Sequence, residues 1–186
     1  MSNSYAQAVL RTPDLGEALG IAHQLLALAD TSGMDVTFLA RVHTSQALEQ
    51  LSEILTDLSW WSESADRPAS SEDGADPAGH LPVQVKSFCQ KPEAVDGFLA
   101  AVGDGASVVC WDLSSWPEAP EIGLGIGGER GAYVSLCVNA HDLYLDEPSD
   151  DHTVYVHVKQ VEAERAPWLA AQVGLHVFGK LVMADD

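Results

Sequence analysis

The sequence predicts an α+β fold: a largely antiparallel sheet of about five to six strands with helices packed on one face. Three observations carry that prediction. Two early stretches repeat apolar residues at helical spacing behind capping signals, over residues 12–29 and 44–61. From Val83 onward the chain is mostly short apolar and β-branched runs separated by turn residues. No internal repeat is present.

The elements follow in order. Thr12 caps the first helix, Pro13 fits its first position and Asp14 suits the positive end of its dipole. Leu15, Ala18, Leu19, Ala22, Leu25, Leu26 and Ala29 keep its period, and Gly33 stops it. Gly16 and Gly20, four apart, weaken the helix by propensity but share a face that another backbone can approach. Asp35 to His43 reads as a strand with Val36, Phe38, Ala40 and Val42 on one side. Thr44 or Ser45 caps a second helix running to about Trp61, with a core stripe of Ala47, Leu51, Ile54, Leu58 and Trp61. Residues 62–82, rich in Ser, Ala, Asp, Gly and Pro, have almost nothing to bury. They are expected to form a mobile acidic loop within one domain spanning 1–186.

Val83 to Phe88 is a short strand, and Pro92 to Val102 a helix with Val95, Phe98, Leu99 and Val102 inward. The turn Gly103-Asp104-Gly105 leads into Ser107 to Leu113, whose continuous apolar run suits a central strand. After a Pro- and Gly-containing loop, Ala132 to Ala140 is a strand. In Thr153 to Val161, Val154, Val156 and Val158 alternate with Tyr155, His157 and Lys159, the pattern of a sheet with one dry face. A helix near Pro167 to Val173 and a strand from Leu175 to Met183 complete the prediction.

Charge excludes several functions. The 186 residues carry 28 acidic and 9 basic side chains, a net charge of −19. Four lysines and five arginines are too few to neutralise phosphates, so neither nucleic acid nor an anionic membrane surface is an expected partner. No apolar run approaches membrane-spanning length and the N-terminus lacks the pattern of a signal peptide, so neither is expected, while cysteine usage points to a cytoplasmic protein. The three cysteines, Cys89, Cys110 and Cys137, are odd in number and lack CxxC spacing, against a disulfide framework or a zinc ribbon. Cys110 and Cys137 lie in apolar runs and read as buried. An exposed Cys89 beside Lys86 and Lys91 is expected to have a somewhat lowered pKa.

Motifs for chemistry are sparse. Gly123, Gly125 and Gly128 have GxGxxG spacing, but a strand-like stretch follows where a dinucleotide site needs a helix, so a turn is the better reading. No GxSxG or SxxK pattern supports a nucleophile. The stretch from His141 to His152 gathers Asp142, Asp146, Glu147, Asp150 and Asp151 between two imidazoles. Its plainest reading is a solvated acidic loop. The alternatives are an electrostatic docking patch, or a metal site that would serve a small metal-assisted enzyme. The EF-hand spacing is missing, and no cofactor or metal is expected.

The second helix is the stronger functional feature. Glu49, Glu53 and Asp57 fall at i, i+4 and i+8, a line of carboxylates opposite the core stripe. If the helix reaches Trp60, that indole joins the acidic outer face while Trp61 packs inward. An outward Trp beside carboxylates has the character of an interface hot spot with electrostatic steering. An acid excess also suits a halophilic cytoplasm or simple solubility, but eight acids at 49–76 and five at 142–151 are clustered. In size and composition alone, the chain is similar to small acidic bacterial inhibitors, such as immunity proteins that neutralise cationic toxins. The expectation is an acidic protein-binding module of inhibitor or immunity type that occludes a basic partner protein, such as a toxin or effector, without chemistry of its own. An acidic chaperone or adaptor is the alternative within binding proteins.

Overall fold

The computed structural model describes residues 4–63, 68–127 and 131–184. Eight strands form the sheet: β1 (Ser4–Thr12), β2 (Asp35–Val42), β3 (Ser59–Ser62), β4 (Val83–Gln90), β5 (Ser107–Asp112), β6 (Tyr133–Val138), β7 (His152–Lys159) and β8 (Phe178–Ala184). Four helices accompany them: α1 (Leu15–Leu26), α2 (Ser45–Ile54), α3 (Val95–Val102) and α4 (Arg165–Gln172). The strand order is β3-β4-β2-β5-β6-β7-β1-β8, and every neighbouring pair is antiparallel. The α+β class holds, with eight strands where five or six were expected. Among the described residues no helix is long and apolar enough to cross a membrane.

The main core lies between the sheet and the helices. α1 packs on β1, β6 and β7, α4 packs on β7, and α2 packs against α3. Leu25, Leu51, Phe98 and Leu169, one from each helix, share a cluster with Val36, Phe38, Val109, Trp111 and Val156 of the sheet. The Phe38 and Phe98 rings meet at 4.4 Å, which ties β2 to α3.

Several local expectations need correction. The first strand precedes the first helix, and the helix cap is Asp14, whose side chain accepts from the Glu17 amide at 3.1 Å. Thr12 instead ends β1, and its hydroxyl donates to Glu17 at 2.5 Å. The helix ends at Leu26, and Gly33, at φ 76°, belongs to the turn into β2.

The larger correction concerns α2. It stops at Ile54, seven residues short of Trp61, and Leu55 is already extended. Asp57 has φ 52°, a left-handed conformation that Asp tolerates better than most residues. Side chains of β4 satisfy the departing backbone: Ser87 donates to the Thr56 carbonyl at 2.6 Å and Gln90 to the same oxygen at 3.1 Å. The chain then enters β3, where side chains alternate. Trp60 lies opposite Val85 and is only 6% exposed, whereas Trp61 lies opposite Gln84 and is 36% exposed. The expected orientations of the two indoles are therefore reversed.

Within the expected loop at 62–82, residues 64–67 lie outside the described set. The Ser62 amide donates to the Ala69 carbonyl at 2.8 Å, two short 3-10 turns follow at Ser71–Asp73 and Pro77–His80, and His80 stacks 5.8 Å from Trp60. β7 differs from its one-dry-face pattern, because Tyr155 and His157 are buried as well as the three valines.

Candidate functional site

Strand alternation places one residue in two on the face opposite the main core cluster. Cross-strand register arranges them in rows. One row runs Asp35, Asp112, Tyr133, His157, Ala6, Val182. The next runs Thr37, Cys110, Ser135, Tyr155, Ala8, and a third runs Lys86, Leu39, Val108, Cys137, Thr153.

The chain from Val138 to His152 folds back over part of this face. Asp142 shapes the turn by accepting from the amides of Tyr144 at 2.8 Å, Asp146 at 3.2 Å and Glu147 at 2.6 Å. Leu145, at φ 63° and fully buried, plugs into a second small cluster with Ala6, Ala8, Val108, Cys137 and Tyr155. The Tyr155 hydroxyl donates to the His141 carbonyl at 2.5 Å, and the Tyr144 hydroxyl to the Met183 carbonyl at 3.2 Å.

What the loop leaves uncovered is a groove of about 280 Å³. Thr37, Leu39, Val108, Cys110, Ser135 and His157 are among its lining residues. Lys86, Phe88 and Cys89 from β4, and Leu143 and Tyr144 from the loop, also line it. Asp35, Asp112 and Tyr133 contribute from the first of the three rows. Phe88 and Tyr144 expose 48% and 42% of their surfaces, so two aromatic rings border the opening.

The polar chemistry of this face is set by burial. His157 is hydrogen bonded through Nε2 to Ser135 Oγ at 2.8 Å, and its Nδ1 lies 3.4 Å from Ser4 Oγ. Burial pushes its pKa down to about 3, so the imidazole is neutral at physiological pH. The Trp116 indole donates to the His157 carbonyl at 2.7 Å, which fixes that strand position from the core side. Burial likewise pushes Tyr155 up to about 12 and raises the Cys137 thiol. The Cys89 thiol is raised too, chiefly by the Asp35 carboxylate, contrary to the lowering expected from Lys86 and Lys91. Lys86 is turned elsewhere, with its ammonium 4.4 Å over the Phe88 ring. Cys110 is part-buried at the groove rather than in the core.

The residues singled out by sequence are dispersed. Glu49 and Glu53 are exposed on α2, but Asp57 lies past its end and Trp60 is in the core, so the acidic stripe with an outward Trp does not assemble. Asp146, Glu147 and Asp150 are exposed on the loop, Asp142 serves its turn, and Asp151 lies 3.6 Å from His141. His152 is buried, its Nδ1 accepts from the Asn139 amide at 3.2 Å, and burial lowers its pKa. Among the described residues, no three His, Cys, Asp or Glu side chains are grouped to hold a metal ion. Gly123 and Gly125 belong to a loop followed by β6, and the Gly125 carbonyl accepts from Arg165 at 2.7 Å; Gly128 lies outside the described residues.

The groove residues Asp35, Leu39, Phe88, Asp112 and Tyr144 were not singled out by sequence. The outward alternation of β2 and β5 signals Asp35, Leu39 and Asp112 individually, but only the pairing register brings them together. No family model, curated protein or solved structure matches the chain.

Proposed function

We propose that this protein is an acidic binding module of inhibitor or immunity type that occludes a basic partner protein. The observation that supports this reading best is the groove of about 280 Å³, bordered by exposed Phe88 and Tyr144, in a chain of net charge −19. Exposed aromatic rings next to a concave apolar surface favour a protein contact, and a field of this sign steers basic partners toward it. Asp146, Glu147 and Asp150 stand exposed on the same loop that supplies Leu143 and Tyr144 to the groove. The mechanism is steric occlusion after electrostatically accelerated encounter.

The test is affinity capture from the native host, identification of the bound protein and reconstitution with both purified chains. The expected result is a basic protein bound stoichiometrically and inhibited, with association slowing at least about tenfold between about 50 mM and about 500 mM salt. A neutral or acidic partner, or salt-insensitive association, would overturn the reading. The groove also favours a second reading, an acidic chaperone or adaptor. In that case binding is weak and transient, the partner keeps its activity, and an apolar dye occupies the groove of the folded protein.

A further inference from the structure

We propose that the groove on the face opposite the main core seats one arginine or lysine side chain of the basic partner, its stem against Leu39, Phe88 and Tyr144 and its cationic head at Asp35. This inference rests on the preceding reading that the partner is basic.

Size sets the first constraint. About 280 Å³ is just below the roughly 300–1,000 Å³ of pockets that enclose drug-sized ligands, and suits one long side chain better than a cofactor or a helix. Lining sets the second. Leu39, Val108, Leu143 and the Phe88 ring offer an apolar sleeve, the surface on which Lys and Arg stems pack while their heads seek a charge. Charge sets the third. Asp35 and Asp112 face each other directly across β2 and β5, which concentrates negative potential in the row that borders the sleeve. The floor does not oppose it, since His157 is neutral and held by Ser135.

The wall is already seen to accept a cation. Lys86 rests its ammonium 4.4 Å over Phe88, so the ring already makes the contact proposed, and the partner's cation takes it over as the flexible Lys86 side chain swings out to solvent. An anionic occupant meets the repulsion of Asp35 and of a chain at −19. A purely apolar occupant covers Asp35 without compensating its lost hydration. Arginine fits best, because its planar head both stacks on aromatic rings and hydrogen bonds carboxylates.

The experiment is a titration of the isotopically labelled full chain, followed by amide NMR, with three probes: the N-acetyl methylamides of arginine, norleucine and glutamate. The arginine probe should move the amides of Leu39, Phe88 and Tyr144 saturably in the millimolar range. Asp35→Asn should weaken it by about tenfold, the norleucine probe should bind wild type about as weakly, and the glutamate probe should not bind. Phe88→Ala, at an exposed position, is a second variant that should lose the arginine probe without unfolding. Equal binding of arginine and norleucine, or shifts confined to the outer carboxylates of α2 and the loop, would overturn the proposal. With the captured partner the two readings separate. If it binds Asp35→Asn and Phe88→Ala as tightly as wild type, the groove inference fails while the basic-partner reading stands. If no basic partner exists, that reading fails, and specific arginine binding in the groove would still identify a cation seat.

Discussion

Arg165 joins α4 to the long connection between β5 and β6, and its side chain is fully buried. Nη1 donates to the Pro117 carbonyl at 2.5 Å, Nη2 to the Gly125 carbonyl at 2.7 Å, and Nε to Glu162 at 3.0 Å. Arg165→Met keeps most of the packed stem and removes all three bonds. A hydrogen bond to a charged group contributes about 1.5–3 kcal/mol. The full sum is not expected, because Glu162 is 20% exposed and the Gly125 carbonyl belongs to an exposed residue that water can reach. A loss of about 3 kcal/mol results, at the lower end of what breaking a buried ion pair costs. For a chain of this length that corresponds to a fall in Tm of roughly 6–12 °C. Arg165→Lys keeps the charge without the fork and should lose about 2 kcal/mol, whereas Glu162→Gln should lose less than about 1 kcal/mol. Urea unfolding at unchanged m gives these values. Hydrogen exchange at the Gly127 amide, which donates to the Trp116 carbonyl at 3.0 Å, reports whether the connection loosens locally. If Arg165→Met costs less than about 1 kcal/mol and Gly127 stays protected, the guanidinium does not hold this segment, and the packing of Trp116 does.

Trp60→Ala should cost roughly 3–5 kcal/mol of stability and Trp61→Ala roughly 0.5 kcal/mol, measured by the same urea curves; the reverse order would contradict the assigned β3 register. Burial holds His157 at about 3 against 6.5 unfolded, so between those values the unfolded chain carries a proton that the folded chain lacks, and stability falls as pH drops. The stability advantage of wild type over His157→Gln should accordingly shrink by roughly 2 kcal/mol from pH 7 to pH 5, and a constant gap would refute a neutral buried imidazole. The raised Cys89 thiol should alkylate slowly at neutral pH, and Asp35→Asn should speed it severalfold; no change would mean that Asp35 does not set the thiol's acidity.

The main core was legible because it obeys simple periods. Val36, Phe38, Ala40 and Val42 alternate as read and all face the core, and Val95 and Phe98 mark the inward face of α3 as read. The edges were not. β1 places Ala6 and Ala8 on its second face, side chains too small to register as a hydrophobic stripe, and an irregular register between Ala8 and Leu10 breaks its alternation. α2 was overextended because Leu51, Leu58 and Trp61 continue a helical period by coincidence. The stop is supplied from elsewhere, by Ser87 and Gln90 of β4 bonding to Thr56. A local pattern cannot show a terminator that lies more than thirty residues away.

The candidate site was hidden for a related reason. A core position must be apolar, so a single strand betrays it. A groove position on a half-covered face has no such requirement, and its meaning depends on its cross-strand neighbours. Asp35 reads as an ordinary strand-initiating acid until β5 sets Asp112 opposite it, and Phe88, on the outward alternation of β4 with Gln84 and Lys86, reads as a lone exposed ring until Leu39 and Tyr144 are found beside the same groove. The acidic loop was recognised as a surface feature, but the division of labour within it was not. Asp142 is spent on three amides and so shapes the wall, while Asp146 and Glu147, only a few residues on, stay exposed at the surface. Counting carboxylates treats these as equivalent; hydrogen bonding separates them. By the same logic, neutralising Asp142 should shift the amide NMR signals of Leu143 and Tyr144 in the wall, whereas neutralising Asp146 and Glu147 should leave them in place and alter only the surface charge.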